Sequence, residues 1–113
     1  MPYIHVTTNL PVPEAAGEAI KRQLGHAVTA LRGKSEDFLM VRLEDDARLW
    51  MAGTDDPAAL VAVSVYGGAP GEDYDNLTGR ITEILEGALG LSPQRVYVKY
   101  AETEYWGWNG RNF

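Results

Sequence analysis

Apolar positions change their spacing several times along the chain, and each change marks an element. Over residues 3–9 the β-branched Ile4, Val6, Thr7 and Thr8 dominate, which predicts a strand starting almost at the first residue. Asn9-Leu10-Pro11-Val12-Pro13 reads as a turn, with Pro13 suited to the first position of a helix. Ile20, Leu24, Ala27, Val28 and Leu31 then recur at helical spacing as one apolar stripe, and Gly33 is placed to end that helix as a left-handed cap. Residues 38–44 predict a second strand, mostly apolar until Arg42, and residues 48–51 a short third one before the loop at 53–57. Residues 58–66 are almost continuously apolar, as expected of a strand covered on both faces. A loop at 67–71 leads into a second helix, from about Asp73 to Leu89, striped by Leu77, Ile81, Ile84, Leu85 and Ala88. Gly90 ends it, Ser92-Pro93 turns the chain, and residues 96–100 form the last predicted strand.

The second half repeats the first. One offset of 57 residues carries Ile20 to Leu77, Leu24 to Ile81, Ala27 to Ile84, Val28 to Leu85 and Leu31 to Ala88. It also carries Gly33 to Gly90, Ser35 to Ser92, Leu39 to Val96 and Val41 to Val98. Few of these residues are identical, yet every stripe position stays apolar. The pattern predicts an α+β fold, a two-layer sandwich: duplicated β-α-β units, about 2–58 and 59–113, form a four-stranded mixed sheet with two helices on one face. Helices on one face only would leave the other face wet and apolar, so closed oligomerisation is expected to cover it. The aromatic end, Tyr105-Trp106-Gly107-Trp108, is expected to pack on the body or on a neighbour.

Composition narrows the function. A chain of 113 residues predicts one domain over 1–113, and 45% hydrophobic with 23% charged residues is ordinary for a globular protein. The net charge of -6 argues against nucleic acid or an anionic membrane as partner, since both need a basic face. With no cysteine, disulfides, thiol nucleophiles and cysteine-ligated zinc are excluded. No apolar run is long enough to span a bilayer, and the start lacks a secretion signal. A cytoplasmic location is the expectation, with export by a signal-free route left open.

Several motifs fail on inspection. Gly33-Lys34-Ser35 looks like the end of a phosphate-binding loop, but its first glycine is replaced by Val28 and it closes a helix instead of opening one. The run Glu72-Asp73-Tyr74-Asp75-Asn76 lacks calcium-loop spacing and reads as a solvated, acidic helix start. His5 and His26 stand alone on different elements, so no metal site is expected, nor any other cofactor.

What survives is Pro2 read together with Lys34, the Gly67-Gly68 loop and the strand around Tyr97. If Met1 is removed, the Pro2 nitrogen becomes a basic secondary amine at the start of a strand. Together with Asn9-Leu10-Pro11, Ser92-Pro93-Gln94-Arg95-Val96-Tyr97 and Trp106-Gly107-Trp108-Asn109-Gly110, these residues resemble the macrophage migration inhibitory factor family of the tautomerase superfamily. The resemblance covers essentially the whole chain. It implies a homotrimer with active sites between subunits, and keto–enol tautomerase activity on small aromatic or acidic substrates of the phenylpyruvate and dopachrome type. By matching position, Pro2 is the catalytic base and Lys34 its neighbouring cation. Tyr3 lies beside the base, and Val65 and Tyr66, with Gly67, supply backbone for a substrate oxygen. The same resemblance brings Tyr97 and Lys99 from an adjacent subunit and puts Trp106, Trp108 and Phe113 at an aromatic wall.

The chemistry agrees with that assignment. Moving a proton from carbon beside a ketone requires a base that is neutral at working pH. Burial and a neighbouring lysine both disfavour the protonated amine. The lysine can also meet a substrate carboxylate and developing enolate charge. Plainer readings stay open: Lys34 as a cation favoured at a helix C-terminus, Tyr97 as a core-facing strand residue, and the aromatic residues as packing. A cytokine-like or other binding module with little or no turnover is the alternative function. The chain also departs from the family. Ala58-Ala59-Leu60-Val61 stands where vertebrate members carry a CxxC pair, Lys99 replaces a usual asparagine, and Tyr66 and Trp106 replace smaller residues.

Overall fold

The computed structural model describes residues 1–113. Strand β1 (Pro2–Thr8) leads into helix α1 (Glu14–Ala27) and then strand β2 (Met40–Glu44). Strand β3 (Ala59–Tyr66), helix α2 (Gly71–Leu89) and strand β4 (Val96–Thr103) repeat that order. The four strands form one sheet in the order β2-β1-β3-β4. β1 runs parallel to β2 and antiparallel to β3, and β3 runs parallel to β4. A central strand therefore begins at Pro2. Proline is tolerated there because the first strand residue need not donate to the ladder.

The two stripes build the core. Ile20, Leu24, Leu77, Ile81 and Leu85 pack on Ile4, Val6, Val61, Val63 and Val65, all fully or almost fully buried. Each such side chain contributes about 1.5–3 kcal/mol on burial. Gly90 caps α2 in the left-handed conformation (φ 69°), its N–H donating to Glu86 O at 2.9 Å. The first helix ends differently from expectation. The α-helix stops at Ala27, a 3₁₀ turn follows (Val28–Ala30), and Gly33 takes its left-handed φ of 77° only beyond it. Thr29 explains the tightening, because its hydroxyl donates to His26 O at 2.7 Å and competes with the helical pattern.

Three further expectations are corrected. Residues 48–51 form no strand: only an isolated bridge joins Met51 to Thr54, and the segment is held by side chains instead. Phe38 lies in a 3₁₀ turn (Glu36–Phe38) before β2, where Ser35 Oγ accepts from Asp37 N at 3.3 Å. Asp73 is not solvated. It is 4% exposed, and its carboxylate accepts from Arg32 N and Arg32 Nε, both at 3.2 Å, tying the start of α2 to the end of α1. Within one chain the helices cover strand β3 on one face, and burial alternates along it between buried and half-buried.

The open sheet face is also less apolar than expected. β2 presents exposed Met40, Arg42 and Glu44, while half-buried Tyr3, His5 and Thr7 alternate with the core residues of β1. Beside them lie Ala62, Ser64, Tyr97, Lys99 and Ala101. His5 Nε2 meets Glu44 Oε1 at 3.0 Å on this face. No helix is long and apolar enough to cross a membrane.

Candidate active site

Backbone register positions the N-terminus. Pro2 is buried opposite Val65, so the next pair of groups along the ladder is Met1 O accepting from Tyr66 N at 3.1 Å. The turn after α1 brings in Lys34. Its N–H donates to Leu31 O at 3.0 Å, and Gly33 supplies the left-handed residue that this reversal needs. The half-buried lysine then donates from Nζ to Tyr66 O at 3.1 Å. Both backbone groups of Tyr66 are therefore engaged at one spot, one by Met1 and the other by Lys34.

That spot depresses the basicity of an amine. The Met1 α-amino group is held below its ordinary value of 8.0, first by burial, then by the Lys34 charge and a hydrogen bond with Lys34. A cleft of about 680 Å³ opens beside it. Its walls are the N-terminus (Met1 to Tyr3), the turn and strand from Asp37 to Arg42, and the C-terminal segment from Trp106 to Trp108.

The aromatic wall owes its shape to a two-residue turn that the sequence analysis did not anticipate. Strands β5 (Gly107–Trp108) and β6 (Arg111–Asn112) pair as a hairpin across Asn109 and Gly110, both with positive φ (54° and 87°). Asn-Gly is the favoured pair for that turn, since each central residue must be left-handed. The hairpin lays Trp108 edge-on against Phe38, with ring centroids 5.9 Å apart. Phe113 packs against Trp108 (6.3 Å) and Tyr66 (5.5 Å). The C-terminal aromatic residues pack on the body only in part, for Trp108 and Phe113 remain about half exposed and Tyr105 74% exposed.

The structure thus gathers Pro2, Tyr3, Trp106 and Trp108 around the cleft, with Lys34 and Tyr66 adjoining it and Phe113 behind the aromatic wall. Val65 pairs with Pro2 across the ladder, and its side chain is fully buried in the core. Tyr97 and Lys99 are not brought there within the chain. Tyr97 pairs with Leu60, five residues from Val65 along β3, a distance of about 16 Å. It is 63% exposed on the open face, which corrects the core-facing alternative.

Residues missed in the sequence are Phe38 and Arg42, which line the cleft, and two side chains that hold the 48–58 segment. Asn9 Nδ2 donates to Leu49 O, Asp55 O and Asp56 O, and its Oδ1 accepts from Ala58 N. Arg95 donates to Met51 O, Thr54 O, Asp56 O and Pro57 O at 2.9–3.2 Å. Both belong to the motifs that carry the resemblance, so the sequence signal was present but its structural meaning was not. No group of three or more His, Cys, Asp or Glu side chains is close enough to hold a metal ion.

Comparison with known proteins gives the same answer from end to end. The chain is 32% identical to macrophage migration inhibitory factor of Mus musculus, covering 100% of this chain and 99% of that one. It is 27% identical to D-dopachrome decarboxylase of Gallus gallus, over 94% of this chain and 90% of the relative. Among solved structures, Leishmania major MIF2 superposes with a TM-score of 0.94 at 28% identity, covering 100% of this chain and 97% of the other. The sequence profile described as macrophage migration inhibitory factor (MIF) matches residues 1–113, and the chain belongs to that family.

Proposed function

We propose that the protein is a keto–enol tautomerase in which Pro2, freed by removal of Met1, is the general base. One observation carries the reading: an amine at this end of β1 is already depressed by burial and by Lys34. The Pro2 nitrogen lies one residue further into the sheet, at a position where the residue is buried. In the keto-to-enol direction it takes a proton from the carbon next to the ketone. The electron pair moves onto oxygen, and the enolate is protonated to the enol; the reverse sequence restores the ketone. Once Met1 has left, Lys34 is the cation beside the new N-terminus that meets the carboxylate and the developing oxygen charge. Loss of Met1 would remove the carbonyl that now accepts from Tyr66 N, leaving that donor open to a substrate oxygen. Phe38, Trp106 and Trp108 offer a slot for a flat ring. The similarity to D-dopachrome decarboxylase favours a dopachrome-type substrate, and the family resemblance adds those of the phenylpyruvate type.

We further propose a closed homotrimer that brings Tyr97 and Lys99 of one subunit to the Pro2 cleft of the next. The half-exposed sheet face and the distance of Tyr97 from Pro2 within one chain support it. Sedimentation velocity reads the assembly directly.

The deciding experiment measures intact mass beside phenylpyruvate enol–keto interconversion, on the processed chain, the Met1-bearing chain and Pro2→Gly. Turnover confined to the processed wild type is expected. Equal rates in all three would end the proline mechanism. A folded assembly with background rates throughout would favour a binding role for the same fold.

A further inference from the structure

Within one chain, Arg42 is the only cationic side chain on the wall of the cleft. Lys34 adjoins the N-terminus without lining the cavity, and the other charged wall residue is Asp37. Strand register puts Arg42 opposite His5, three residues along from Pro2, a distance of about 10 Å. It shares the open face with Tyr3 and Met40, which also line the cleft.

Its guanidinium is loosely ion-paired and donates no hydrogen bond. The sole charged contact is Glu44 Oε1 at 3.7 Å, beyond hydrogen-bond length, and that oxygen already meets His5 Nε2 at 3.0 Å. A planar cation with free donors suits a carboxylate, which it can grip with two parallel bonds. In a chain of net charge -6, attraction of an anion to this cleft has to be local.

We infer that Arg42 is a specificity-determining residue that selects keto/enol acids carrying a second acidic group at the end remote from the reacting carbon. The flat ring lies between the two ends, against Phe38 and Trp108. Asp37 disfavours the second acid on its own side of the cleft and leaves Arg42 as the partner that this chain itself supplies. The inference rests on the Pro2 reading for the direction in which the substrate lies.

The test compares phenylpyruvate with its para-carboxylated analogue. Binding is read by tryptophan fluorescence quenching and turnover separately, in the processed wild type, Arg42→Gln and Arg42→Glu. The quantity of interest is the ratio of the two dissociation constants. The wild-type preference for the para-acid should fall about 5- to 20-fold in Arg42→Gln, reverse further in Arg42→Glu, and shrink with added salt in the wild type. A ratio that ignores both substitutions and salt overturns the inference. Selective binding without turnover counts against Pro2 as base and leaves the role of Arg42 standing.

Discussion

Lys34→Met removes a charge while keeping most of the aliphatic stem, and it tests how the site sets the state of its base. Two forces lower the basicity of the Met1 α-amino group, with burial the larger and the lysine the second, and both are expected to act on the freed Pro2 nitrogen beside it. Removing Lys34 should therefore raise the base pKa, yet leave it below that of an exposed amine, because the burial remains. A base that must be neutral loses activity as pH falls through its pKa. The acidic limb of the kcat/KM profile should accordingly move to higher pH. The plateau should fall too. Lys34 can give a substrate one charge-assisted hydrogen bond beyond the one it gives Tyr66 O, and a bond of that kind is worth about 1.5–3 kcal/mol. That corresponds to a loss of about 10- to 150-fold in kcat/KM. Lys34→Arg should hold the acidic limb near its wild-type position, since the charge is retained. The assay is the pH dependence of phenylpyruvate ketonisation, followed by absorbance for the three proteins. A limb that stays put in Lys34→Met, or moves to lower pH, refutes the coupling between lysine and base.

Other outcomes follow from contacts outside the cleft. Arg95→Ala removes four donations to loop carbonyls and should speed amide exchange of Met51 and Thr54, whose mutual bridge it frames, while the helices keep their protection. Asp73→Ala strips the carboxylate from Arg32 N at a buried helix start and should cost about 1–3 kcal/mol in chemical denaturation; Arg32, 66% exposed, recovers water for its side chain. Tyr74 is pushed up to about 12, first by burial and then by its 2.6 Å hydrogen bond to Glu102, and burial raises Tyr100 as well, so ultraviolet titration should show late-ionising phenols from which Tyr74→Phe removes one.

The helical stripes were legible because apolar side chains repeat at a period that only one geometry satisfies. Ile20, Leu24, Leu77, Ile81 and Leu85 all lie in the core as the spacing requires. Strand β3 is apolar along almost its whole length, and that hides which of its faces meets the helices and which lies on the open side of the sheet. The 48–51 segment has strand-like composition, but Asn9 and Arg95 satisfy its carbonyls from a distance, a pairing that no local pattern reveals. Burial of Asp73 has the same origin, since its partner Arg32 lies in the other half of the chain. Arg42 was within reach of a period-two reading, which sets Met40, Arg42 and Glu44 on one side of β2 against Val41 and Leu43 on the other. Its place on the cleft wall depended on the hairpin around Asn109, and that is a fact of three dimensions.

Asn9 and Arg95 hold their segment by main-chain atoms almost exclusively: six carbonyls (Leu49, Met51, Thr54, Asp55, Asp56 and Pro57) and one amide (Ala58). A grip on main-chain atoms is indifferent to what the gripped residues carry. Length and path of this stretch are then fixed by two distant side chains, while outward-facing identities such as Trp50 are left free to drift. The stretch amounts to a rigid mount on which surface chemistry can be exchanged without disturbing the sheet beneath.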